Sequence, residues 1–188
     1  FDVLEENEDI VWGPGMVNVE KTVVLPATST LSIKPGTQIK ISPGKGVIFH
    51  GVVKAIGEPD NKIVFTSAKG DDYFGSLVFN QWSMPGSEFE DVIVENGKDF
   101  LWKQRFYSGA MSVYNTAVKL NRVIFRNNKG DDALNAKYSN SIIESSAFHD
   151  NAADAIDLDF AGGLIRGNIF LDNGNDAIDV GSSIPVIE

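Results

Sequence analysis

The chain has no cysteine among its 188 residues. That excludes a disulfide framework, a thiolate metal site and a cysteine nucleophile. It has two histidines, His50 and His149, far apart in sequence. A zinc site built on imidazoles is therefore not expected. No apolar run reaches the ~18 residues that would mark a membrane span. Base is scarce in the last third: residues 131–188 hold 11 acids but only Lys137 and Arg166, whereas residues 1–130 hold 15 acids and 14 bases. Phosphate contacts need Lys and Arg, so a nucleic-acid partner is not expected. No leader pattern opens the sequence, and it starts on Phe1 rather than methionine, as expected of a mature or excised piece.

What is present is repetition. Asp132-Ala133-Leu134 returns as Asp154-Ala155-Ile156 and again as Asp176-Ala177-Ile178, in steps of 22 residues. Phe125, Phe148 and Phe170 keep nearly the same step, and each is followed three residues later by Asn128, Asn151 or Asn173. Several columns in register at one period mark a repeat architecture. Around each Asp-Ala core, apolar Ile156, Leu158, Ile178 and Val180 alternate with Asp157, Asp159 and Asp179. Period-two alternation is a strand with one buried face, and no long 3.6-period stretch occurs. The spacing predicts an all-β, right-handed parallel β-helix of about 22 residues per coil. Its phenylalanines stack in the core, and its asparagines form a ladder at one turn.

These columns resemble the right-handed parallel β-helix proteins of the pectate-lyase-like superfamily. A second resemblance lies in Leu31-Ser32-Ile33-Lys34-Pro35-Gly36-Thr37 and Ile63-Val64-Phe65-Thr66-Ser67. These are similar to the entry coils of bacterial surface β-helix proteins. The resemblance implies one domain over residues 1–188, at the cell surface or outside the cell. Within it we expect an entry or cap segment at 1–29, N-terminal coils at 30–94 and an inserted loop at 95–108. Regular coils follow at 109–188, with no cap after Gly181. The superfamily holds lyases, epimerases, hydrolases and non-catalytic proteins, and fold does not fix function.

Aligning the last coils on Ala110, Ala133, Ala155 and Ala177 gives outward columns. One reads Ser112, Asn135, Asp157, Asp179. The next reads Tyr114, Lys137, Asp159, Gly181. A corner column reads Gly109, Asp132, Asp154, Asp176. Stacked carboxylates repel, and one route to tolerating this is a bound hard cation. Asp157, Asp159 and Asp179, with Asn135 nearby, are the expected calcium ligands. The corner aspartates are expected to cap turns through backbone N–H groups.

The insertion 95–108 carries Phe100, Trp102, Phe106 and Tyr107 with Lys103 and Arg105, and it runs straight into the first strand of that face. Long loops in compact domains are commonly functional. Trp102, Phe106 and Tyr107 are expected to stack on sugar rings, with Lys103, Arg105 and Asn135 adding polar contacts. The expected function is a non-catalytic, calcium-assisted polysaccharide-binding module. One rival is a polysaccharide lyase or C5-epimerase using Lys137, Lys103 or Arg105 as base. A glycoside hydrolase would instead use Asp157 paired with Asp159 or Asp179. The third reading is a structural spacer that self-associates end to end through an open coil.

Overall fold

A computed structural model describes residues 1–188 and contains strands and turns but no helix. Three parallel sheets of 8, 8 and 7 strands run the length of the molecule. The chain visits each sheet once per turn, giving a β-solenoid of about 8 turns with ~23 residues per coil. Coiling begins earlier than expected: Asp2–Val3, Asp9–Trp12, Gly15–Val19 and Val23–Leu25 already pair with the coil that follows.

The period holds because equivalent residues stack. Phe125 lies 4.8 Å from Phe148, and Phe148 lies 5.4 Å from Phe170, with rings nearly parallel. Asn128 Nδ2 donates to Asn151 Oδ1 at 2.9 Å, and Asn151 Nδ2 donates to Asn173 Oδ1 at 2.8 Å. Each amide also donates to a backbone carbonyl: Val94, Phe125 or Phe148. An amide carries both donor and acceptor, so it can satisfy the coil on either side, which a carboxylate cannot.

Turns follow the same columns. Asn115, Tyr138, Phe160 and Ser182 occupy one turn in successive coils, and all four have φ between 49° and 59°. Asp91 anchors another. It is buried, and it pairs with Lys62 at 2.9 Å and Arg122 at 2.7 Å. Those two cations more than offset the desolvation of its carboxylate, chiefly through the Arg122 hydrogen bond, and hold it below the usual carboxylate range.

The insertion is not an irregular loop. Phe100–Trp102 pairs antiparallel with Arg105–Tyr107, making a hairpin that lies on the outside of the first sheet.

Candidate functional site

The outer face of the first sheet changes character along its length. One column, read through the strand registers, runs Val24, Ile48, Val78, Ser112, Asn135, Asp157, Asp179. Its first three members are apolar and its last four polar. The hairpin is inserted between Val78 and Ser112 and folds back over the apolar half. Phe100, Tyr107 and Tyr114 are buried against Val24, Ile48 and Val78. Phe100 sits so close that a Cβ on Gly75 would meet its ring at 2.4 Å. Only glycine leaves that room.

Beyond the hairpin lies an open cleft of about 490 Å³, lined by Arg105, Phe106, Ser108, Tyr114, Asp131, Asp132, Lys137 and Asp157. Phe106 presents an exposed ring, while Tyr114 is buried under the stacked ring of Tyr107 at 5.2 Å. The floor is acidic. Burial pushes the Asp132 carboxyl up to about 7, and Asp157, Asp154 and Asp131 add repulsion against a hydrogen bond from Ser108. Burial likewise pushes Asp157 up to about 6; Asp159 adds to this and Lys137 opposes it. Lys137 is bound to Asp159 at 2.6 Å and stands 5.7 Å above the Tyr114 ring. Two buried oxygens, Asp132 Oδ2 and Asn135 Oδ1, have no partner. Unpartnered buried polar atoms in a cleft mark a place where a ligand or proton supplies what the fold does not.

A second, smaller pocket of about 190 Å³ lies on the other side of the hairpin. His50, Asn80, Trp82, Trp102, Lys103, Arg105 and Tyr107 line it. Arg105 belongs to both cavities, with its guanidinium 5.7 Å from the Tyr107 ring and 5.3 Å from the Tyr114 ring. The two cavities share one track. His50, Asn80 and Tyr114 each follow a residue of the paired triplet Phe49, Phe79, Val113, and Tyr114 pairs onward with Lys137, which pairs with Asp159. At about 4.8 Å per coil, His50 to Asp159 spans about 19 Å.

The outward columns of the last coils are therefore as their spacing predicts, but the single groove expected over them is not. Ser112 and Asn135 are fully buried rather than an open floor. Ser112 is occupied with Ser76 Oγ at 3.3 Å and the Gly109 N–H at 3.2 Å. Tyr107 is buried and covers the sheet, so it is not a free stacking surface. Trp102 and Lys103 turn to the His50 side, Phe106 faces the acids, and Arg105 lines both cavities. Asp157 and Asp179 are register partners with Asp159 two residues along, but Asp159 is taken by Lys137. No three acidic or imidazole side chains converge to hold a metal.

Sequence reasoning missed Asp132, Ser108 and Tyr114 in the cleft, and His50, Asn80 and Trp82 in the pocket. Asp132 shared a corner column with Asp154, whose Oδ1 does accept the Asp176 N–H at 2.8 Å. Nothing local distinguishes the two; the hairpin beside Asp132 does. Comparison with family models, with curated proteins and with solved structures finds no match.

Proposed function

We propose that this chain is a polysaccharide-binding β-solenoid of the cell surface or extracellular space, and that a glycan runs from the His50 pocket over Arg105 of the hairpin to the cleft at Lys137 and Asp157. The observation that carries this reading is the pair of cavities. They meet at Arg105, with exposed Trp82 and Phe106 rings for the apolar faces of sugars. Asp131, Asp132 and Asp157 line the cleft for hydroxyls, beside Lys137 paired with Asp159. The resemblance to pectate-lyase-like proteins supports the same ligand class, by analogy of fold alone. Glycan arrays test the reading. Binding to a defined polysaccharide class that Phe106→Ala and Lys137→Ala each weaken supports it, and an array with no bound glycan removes it.

A catalytic reading of the same cleft has its own support. Asp132 and Asp157 line the same cleft, and their environments raise both carboxyls into the range of physiological acid and base chemistry. One protonated and one ionised carboxyl can act as general acid and base in glycoside hydrolysis; Lys137, held charged by Asp159, supplies a cation beside them rather than a base. New reducing ends point to a hydrolase, and unsaturated products to a lyase. Loss of either with Asp132→Asn or Asp157→Asn would place the chemistry here.

A further inference from the structure

The pocket at the hairpin has the opposite sign from the cleft. None of its seven lining residues is acidic, in a chain with 26 acids. Of the four arginines, Arg122, Arg126 and Arg166 each hold carboxylates, and Arg105 alone holds none. Its hydrogen bond is to the neutral Gln81 Oε1 at 3.3 Å. Lys103 has no carboxylate either. Its Nζ rests 5.2 Å from the Phe1 ring and 5.6 Å from the Trp102 ring. Burial pushes the His50 imidazole below its ordinary value, with Lys103 adding to the effect. His50 therefore offers a neutral ring to the pocket, and the positive charge comes from Lys103 and Arg105.

The backbone points the same way. Lys103 and Gln104 form the two-residue turn of the hairpin, at φ 45° and 65°. Such turns favour Asn-Gly, and a side chain held there is strained by on the order of 1 kcal/mol. The turn holds Lys103 on the wall of the pocket. Beside it, Trp82 is 64 % exposed. A free indole face next to two unpaired cations suits a ligand with a ring and an anionic group, and about 190 Å³ holds one ring rather than a chain.

We propose that the pocket lined by His50, Trp82, Trp102, Lys103 and Arg105 binds a single anionic sugar unit, its carboxylate or sulfate on Lys103 and Arg105 and its ring on Trp82. The sugar class rests on the polysaccharide reading above; the preference for an anion does not, because His50, Asn80, Trp82 and Lys103 lie outside the acidic cleft.

Calorimetric titration of the full chain with glucuronic acid, glucose 6-sulfate, glucose and inorganic sulfate tests it. The two charged sugars are expected to bind at least tenfold more tightly than glucose or sulfate, and the tighter of them identifies the anion. Lys103→Gln and Trp82→Ala should each weaken that sugar at least tenfold without lowering the melting temperature, and Lys103→Arg should retain it. Glucose binding as tightly as the charged sugars overturns the proposal. So does absence of binding by either charged sugar, or unchanged affinity in Lys103→Gln and Trp82→Ala. Inorganic sulfate binding as tightly as both sugars also overturns it, since the ring would then contribute nothing. Charged-sugar binding alongside failure of every longer glycan would leave this pocket standing and remove the polysaccharide reading.

Discussion

Asn135 donates its side-chain N–H to Asp157 Oδ2 on the next coil, while its own Oδ1 is buried with no partner. The same strand buries a second unpartnered oxygen, Oδ2 of Asp132. Burial of Asp132 penalises its ionised form, and the neighbouring Asp157, Asp154 and Asp131 add to this against the Ser108 hydrogen bond, so the carboxyl favours its proton. That is the physical content of the raised Asp132 carboxyl.

Stability should therefore depend on pH through Asp132. Its folded value of about 7 lies above the ordinary carboxyl value of 3.8. Stabilisation from the protonated form is thus full below about pH 4 and is lost as pH rises through about 7. Some three pH units at ~1.4 kcal/mol each make the loss on the order of 4 kcal/mol. Asp132→Asn should gain on the parent protein steadily between pH 4 and pH 8 in urea denaturation. A constant difference between the two across that range would show that Asp132 titrates normally.

The fold was legible because its columns repeat: phenylalanine, asparagine and Asp-Ala recur wherever one coil must match the next. Part of the cleft was legible for the same reason, since Lys137 and Asp157 belong to repeating columns. The rest depends on the hairpin, which occurs once. Its direction is set by the apolar outer residues Val24, Ile48 and Val78 and by the space at Gly75, all far away in sequence. No period announces where a single insertion folds. The Trp82 segment is likewise unrepeated, so the pocket it lines left no pattern to read.

The Phe and Asn ladders should carry the C-terminal coils. Phe148 is fully buried between two stacked rings, and Phe148→Ala should cost about 3–5 kcal/mol. Asn151→Ala removes the partner of a buried amide and should cost about 1–3 kcal/mol. Denaturant titration measures both; values under about 0.5 kcal/mol would show that the ladder does not hold the coils together.

Gln104→Gly should stabilise the chain. Glycine takes the left-handed turn without strain, against a modest entropic loss in the unfolded state. The net gain should be about 0.5–1 kcal/mol, read as a higher melting temperature. A fall instead would mean that the Gln104 side chain, not the turn, governs this corner.

Calcium should change little. Asp159 is committed to Lys137 at 2.6 Å, and no group of three ligating side chains converges. Melting temperatures in millimolar calcium and in chelator should agree. A cation at a hundred times its dissociation constant would add about 2.7 kcal/mol, so a rise of several degrees would restore Asp157, Asp159 and Asp179 as ligands.

The most direct test of the glycan path is affinity against ligand length. With about one sugar unit per coil spacing, His50 to Asp157 has room for about four or five units. Calorimetric titration with an oligosaccharide series from the bound polysaccharide should show affinity rising with each unit to about that length and then levelling off. Affinity that is complete with the monosaccharide, or that is absent at every length, would contradict a glycan lying along this face.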